Sequence, residues 1–211
     1  MINAGSKQEI LSRIKNAKSL NSRLELEMPD MSSAVYKEIV PNALDCFKTE
    51  LESVAGNCII CKSGKQMAKA ICDVLTEYNA DKLFCKDSEI AQFLQENNIP
   101  FTNKATEFSS MEIGITACEF LVARTGSVVV SSHGESGRQM TIFPPIHLVL
   151  AKKNQLVNYV EDALLGLQKK YANGMPGLVS FISGPSRTAD IEKTLVLGAH
   201  GPKKLYVFIY E

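Results

Sequence analysis

The chain reads as an α/β protein built on a mostly parallel sheet with helices on both faces. Three observations predict this. Short apolar runs such as Asn57 to Cys61 alternate with segments whose apolar residues recur at helical spacing. The apolar runs are nearly continuous, as strands buried on two sides require. At 211 residues, with 45% hydrophobic and 22% charged residues, the chain is long enough to bury its own core without disulfide or metal staples. Strand–helix alternation on that scale folds into a parallel sheet between layers.

The elements follow in order. Ser6 and Glu9 fit a capping box, and Ile10, Leu11, Ile14 and Ala17 continue at helical spacing. Residues 21–40, with Pro29, read as a connector. Pro41 opens a second helix, with Leu44, Phe47, Leu51 and Val54 on one face. Residues 1–55 are therefore expected to form an N-terminal helical arm, and residues 56–211 the α/β domain. Asn57 to Cys61 is a strand, and Ser63 caps a helix with Met67, Ile71, Val74 and Leu75 inward. Leu83 to Cys85 is a strand and Ser88 to Gln95 a helix. Glu112 to Thr116 is a strand, followed by a helical turn around Ala117 to Val122. Ser127 to Ser131 and Ile146 to Leu150 are strands. Asn154 caps a helix through Val157, Val160, Leu164 and Leu167, ended by Asn173–Gly174. Leu178 to Ile182 and Leu205 to Tyr210 complete the strands.

Charge narrows the function. Lys plus Arg and Asp plus Glu both number 23, so the net charge is zero. That argues against nucleic-acid binding, which needs a basic face to displace counterions from phosphates. No run approaches the roughly 18 apolar residues of a membrane helix, so no membrane insertion is expected. The first ten residues lack the order of a signal peptide, so the chain is expected in the cytoplasm with its six cysteines reduced. Cys58 and Cys61 lie three apart on a strand, so they point to opposite faces and make a poor metal or redox pair. No metal site and no iron–sulfur cluster is expected in this chain. Cys61 to Lys65 resembles a phosphate loop only faintly, since Ile59 and Gln66 occupy positions that motif needs filled otherwise.

Ten of the 13 glycines follow residue 100, so the loops most suited to a site lie in the second half. Between residues 111 and 151 the only charges are Glu112, Glu119, Arg124, Glu135 and Arg138. Charges that sparse in apolar sequence are paired or poised at a cleft. Thr125, Gly126 and Ser127 sit where a turn feeds a strand, with hydroxyls for a ligand or for local hydrogen bonds. Gly134 to Gly137 reads as a mobile tip with Glu135 a possible base. Ser183 to Asp190 follows an apolar strand. There Gly184 permits a sharp turn, Ser186 and Thr188 supply hydroxyls, and Arg187 supplies a fork suited to carboxylate or phosphate. Asp190 could pair with that arginine. Gly198 to Pro202 forms a second glycine-rich turn carrying His200, a potential proton carrier. These turns together suggest a small-anion site.

The same runs resemble the LUD-domain family. The resemblance rests on Gly114-Ile-Thr, Glu119, Ala123-x-Thr-Gly-Ser127, Gly137-Arg138 and Pro144-Pro145-x-His147. It rests most on Gly184-Pro-Ser-Arg-Thr-Ala-Asp-Ile-Glu192 with Gly198-x-His-Gly-Pro202, and it covers about residues 40–211. Arg124 departs from the acidic residue that similar chains often carry there. The resemblance implies a fold like that of the ribose-5-phosphate isomerase, glucosamine-phosphate deaminase and CoA-transferase group. It also implies participation in oxidation of L-lactate to pyruvate beside iron–sulfur partner proteins that hold the clusters. On that reading Thr125, Gly126, Ser127, Arg138, Gly184, Ser186, Arg187, Thr188, Gly198 and Gly201 hold a small anionic or nucleotide-like ligand. Glu119, Asp190 and His200 orient it or move protons. Two alternatives are a stand-alone isomerase or transferase, with Glu119 or Glu135 as base or nucleophile, and a non-catalytic assembly subunit.

Overall fold

The computed structural model describes residues 4–19, 38–191, 194–198 and 200–210; the side chains of 4–5, 17–19, 189–191 and 194–197 lie outside that description. The connector expected at 21–40 falls mostly on residues 20–37, outside the described residues. Two compact units divide between Glu38 and Ile39. The first contains helix α1 (Ala4–Ser19), which begins two residues before the expected cap at Ser6 and carries a Glu9–Arg13 ion pair at 3.1 Å. No helix among the described residues is long and apolar enough to cross a membrane.

The second unit begins with helix α2 (Ala43–Ser53), so this helix belongs with the sheet and not with α1. Its cap is Asn42, whose side chain accepts from the backbone N–H of Asp45, one position after the expected Pro41. Strand β1 (Asn57–Cys61) and helix α3 (Gly64–Glu77) follow as predicted. Ser63 caps α3, and Met67, Ile71, Val74 and Leu75 are all buried. Strand β2 (Leu83–Cys85), helix α4 (Ser88–Glu96) and strand β3 (Phe101–Thr102) complete this half. Strand β4 (Ile113–Ala117) then enters the centre of the sheet.

Beyond β4 the chain departs from the expected helical turn. Phe120–Val122 is strand β5, and it pairs antiparallel with strand β6 (Ser127–Ser131). The pairing satisfies the backbone of an apolar segment too short to nucleate a helix. Strand β7 (Ile146–Lys152) returns to the main sheet. Asn154 lies in a short 3-10 turn and caps no helix; strand β8 (Leu156–Val157) follows instead. Helix α5 (Val160–Lys170) starts later, with the Asp162 carboxylate accepting from the Tyr159 backbone N–H at 2.9 Å. It buries Ala163 and Leu167, leaving Leu164 42% exposed where an inward position was expected. Strand β9 (Val179–Ile182) is as predicted. The segment read as a continuous turn contains strand β10 (Arg187–Ile191), which forms a hairpin with strand β11 (Thr194–Leu197). Strand β12 (Lys204–Tyr210) closes the fold.

Six strands form one wholly parallel sheet in the order β1-β12-β7-β4-β2-β3. Helices α3 and α4 cover one face, where Ile71 and Leu94 meet Ile113, Leu148 and Phe208. On the other face Phe47 and Leu51 of α2 pack with Val149, Val207 and Ile209. A smaller sheet, β8-β5-β6-β9, shares that face through Leu121 and Val128, and α5 covers its outer side. Cys61 belongs to the first core and Cys58 to the second, so the two sulfurs do point apart across the sheet. All six cysteines are free thiols.

Candidate functional site

A parallel sheet has two unlike ends, and ligands in open α/β sheets gather beyond the carboxyl ends of the strands. Here those ends are Cys61, Cys85, Thr102, Ala117, Lys152 and Tyr210. A cleft of about 410 Å³ opens beside Ala117, with Thr116, Glu119, Ser131, His133, Lys170 and Tyr171 among its walls. Glu119 is its centre and is only 9% exposed. It stands just beyond β4, and its own backbone N–H donates to Val129 O at 2.7 Å, which fixes the carboxylate against β6.

Three donors converge on that carboxylate. Ser131 Oγ donates to Oε1 at 2.5 Å, Tyr171 Oη donates to Oε1 at 2.6 Å, and Lys170 Nζ donates to Oε2 at 2.6 Å. Burial alone pushes Glu119 upward, yet the hydrogen bonds from Lys170, Ser131 and Tyr171 outweigh it and hold the carboxyl below its ordinary range. The Glu119 hydrogen bond raises Lys170 in turn, so the ammonium stays charged at neutral pH. Burial, reinforced by Glu119, raises the Tyr171 phenol, which remains a donor. With both oxygens occupied, Glu119 is arranged as a fixed anion that positions Lys170 and Tyr171. It is poorly arranged as a free base or nucleophile. Lys170 has three donor hydrogens and Glu119 Oε2 takes one, so the ammonium can still address a ligand.

Two further walls are set by packing. Thr116 Oγ1 lies 2.9 Å from Nε2 of His147, which is wholly buried one strand away. His133 rests edge-on against Tyr171, with ring centroids 4.9 Å apart. Glu135 lies on the loop over the cleft, but it is a tether: Ser88 N and Oγ donate to its carboxylate at 2.5 and 3.0 Å. That contact pins the loop to the first turn of α4, where an anion is favoured.

The structure gathers most of the other sequence-predicted residues elsewhere, at the amino ends of the strands. Gly126 lies against the backbone of α2, where an added Cβ would stand 2.3 Å from Leu51 N. Ser127 Oγ donates to Thr125 Oγ1 at 2.8 Å and is 2.6 Å from Ser183 Oγ. A Cβ at Gly184 would stand 2.7 Å from Val54 O, and Arg187 Nη2 donates to that same carbonyl at 2.6 Å. Arg187 thus caps the carboxyl end of α2, a position that suits a cation. Ser186 N donates to Pro202 O and Gly198 N donates to Ser186 O, both at 2.9 Å, which joins the two glycine-rich turns. Gly201 lies close to the Ser186 side chain. His200 is exposed on this loop, ahead of β12, at the opposite end of the sheet from Glu119. Thr188 pairs with Val196 in the hairpin, and the Asp190 side chain lies outside the described residues. Arg138 is exposed between the cleft residues Gly137 and Thr141. Arg124 donates to Glu50 Oε1 at 3.2 Å, another tie to α2. Of the residues expected to orient the ligand or move protons, Glu119 lines the cleft, His200 lies at the other end of the sheet, and the Asp190 side chain is outside the described residues.

Sequence reading missed Lys170, Tyr171 and Ser131 as partners of Glu119. Lys169 and Lys170 look like ordinary basic residues at a helix end, and only the fold brings Lys170 to a carboxylate 51 residues earlier.

Fold and cleft together define an α/β protein with a buried, ion-paired carboxylate at the carboxyl edge of a parallel sheet. Residues 44–210 match the LUD domain, and the chain belongs to the LUD-domain family. It is 34% identical over 145 residues to an uncharacterized protein of Neisseria meningitidis serogroup B, covering 68% of this chain and 61% of that protein. It is 29% identical over 160 residues to lactate utilization protein C of Halalkalibacterium halodurans, covering 69% of this chain and 70% of that protein. Lactate utilization protein C 1 of Bacillus mycoides is 33% identical over 118 residues, 54% of this chain and 48% of that protein. The crystal structure of a DUF162 family protein from Deinococcus radiodurans superposes with a TM-score of 0.61 at 17% identity. That match covers 80% of this chain and 96% of the other, and it shows a shared fold.

Proposed function

We propose that this chain acts in lactate utilisation, in the oxidation of L-lactate to pyruvate, as a cytoplasmic subunit beside iron–sulfur partner proteins. The carrying observation is the alignment with relatives named lactate utilization protein C over as much as 69% of this chain. The clusters would reside in the partners: Cys58 and Cys61 of this chain are divided between two cores and cannot converge on one cluster. The chain itself would hold a small anion in the Glu119 cleft, with Lys170 as its charged contact. Glu119 would keep that ammonium charged and aimed.

The second reading, a stand-alone transferase with Glu119 as nucleophile, is disfavoured by the three donors already on the carboxylate. Deleting the gene for this chain in its host is expected to abolish growth on L-lactate, with recovery on re-expression. In calorimetry with L-lactate, pyruvate, nucleotides and CoA, Lys170→Met is expected to weaken the ligand that binds by about 10- to 100-fold, the worth of a charged hydrogen bond. Undiminished growth of the deletion strain would overturn the lactate role. Unchanged affinity in the variant would overturn the assignment of Lys170.

A further inference from the structure

The Glu119 cleft does not end at Lys170. A second compartment of about 500 Å³ continues along the carboxyl ends of the strands, and Asp87, Ala117, Cys118 and Lys170 line both. The two compartments differ in chemistry. The first is walled by Glu119 and by the hydroxyl residues Thr116, Ser131, Ser136, Thr141 and Tyr171. The second draws mainly on Met67, Ile90, Phe93, Leu150 and Tyr210, with the Glu89–Lys152 ion pair also in its wall. Phe93 comes from α4 and reaches across to the start of α3, where a Cβ on Gly64 would lie 3.6 Å from its ring. Phe93 is only partly buried and lines this compartment, so part of its side chain is open to a ligand there. Cys118, at the junction, is no nucleophile: burial pushes its thiol up to about 12.

A small hydroxy acid would occupy a fraction of this space and leave the apolar half uncovered. A ligand matched to both halves needs a planar apolar group, a run of hydroxyls, and an anion at the junction where Lys170 retains donors. We infer that the continuous cleft is a mononucleotide site. The ring lies in the Phe93 and Tyr210 compartment, the sugar hydroxyls lie among the hydroxyl groups around Glu119, and the phosphate meets Lys170. This inference rests on the reading of Lys170 as the anion contact. It goes beyond that reading in naming the rest of the ligand.

Calorimetry of the full chain with AMP, GMP, FMN and nicotinamide mononucleotide, each beside its dephosphorylated nucleoside, tests it. At least one nucleotide is expected to bind at one site per chain, with its nucleoside on the order of tenfold weaker. Phe93→Ala is expected to weaken that nucleotide on the order of tenfold or more, through loss of the stacking face. Phe93→Leu keeps an apolar side chain on α4 and removes the aromatic ring, so a variant that melts near the wild type should weaken the nucleotide in the same direction. Binding of L-lactate or pyruvate with no binding of any nucleotide would overturn the inference and leave the Lys170 assignment standing. Nucleotide affinity unchanged in both folded Phe93 variants would overturn it as well.

Discussion

Acidification from pH 6.5 to pH 4 is expected to cost the fold about 3 kcal/mol through one residue, His147. This imidazole is wholly buried between β4 and β12 in the main sheet. Its Nε2 meets Thr116 Oγ1 at 2.9 Å, and its Nδ1 has no hydrogen-bond partner among the described residues. Burial pulls the ring from its ordinary value of 6.5 down to about 4, so in the folded protein it stays mostly neutral until the pH approaches that value. The unfolded chain takes up the proton first. The stabilising contribution is therefore complete above pH 6.5 and is lost progressively as the pH falls to 4. Glu119 adds a separate loss at lower pH, because its carboxyl is held below the ordinary range and must be protonated on acid unfolding. Urea unfolding at half-unit steps of pH reads both. His147→Leu should flatten the curve between 6.5 and 4 and leave the acid limb intact. A wild type as stable at pH 4.5 as at 7.5 would refute the assignment.

Gly126→Ala should cost about 3 kcal/mol, and Gly137→Ala about 1 kcal/mol, although both glycines have nearly the same backbone. Gly126 has φ of 57° and Gly137 has φ of 63°, in the left-handed region that an alanine enters at a penalty. They differ in surroundings. Around Gly137 none of the described residues lies within 4 Å of an added Cβ, so the conformational penalty is the term that applies. At Gly126 the Cβ would meet Leu51 N at 2.3 Å, the Glu50 carbonyl carbon at 2.6 Å and Leu51 Cα at 2.8 Å. Those are backbone atoms of α2, which cannot swing aside as a side chain would. The helix must shift, and it takes with it Phe47 and Leu51, both fully buried in the second core. Unfolding midpoints of the two variants separate strain from collision. Equal losses would show that α2 yields freely to the turn.

How far the sequence reveals this fold depends on how local each signal is. Strand β1, the Ser63 cap and the inward face of α3 are written in consecutive residues, and all stand as read. Strand β5 is not, because Phe120–Val122 becomes a strand only through β6 and β8. The hairpin of β10 and β11 is hidden in the same way behind turn-forming residues. Glu119 was legible because it is one of few charges in a long apolar stretch. Its donors were not, since they arrive from β6 and from the end of α5. Arg187 shows the opposite failure. Its neighbours Gly184, Ser186 and Thr188 suggest a ligand loop, yet its guanidinium donates to Val54 O, a carbonyl 133 residues earlier. Composition identifies a fork-shaped cation but not which acceptor the fold will supply.

The two-residue alternation that sends Cys58 and Cys61 into different cores has a practical consequence. Burial leaves both sulfurs protonated and shielded, with the Cys58 thiol raised to about 12, and Cys85 and Cys118 are shielded likewise. Cys46 is half-covered, and its sulfur donates to Ala123 O. Cys72 alone among the six is exposed, on α3. A maleimide dye or spin label would therefore find one preferred anchor without mutagenesis. That anchor rides on the same helix whose first turn borders the Phe93 compartment, which gives a spectroscopic view of that region while the native sequence is kept whole.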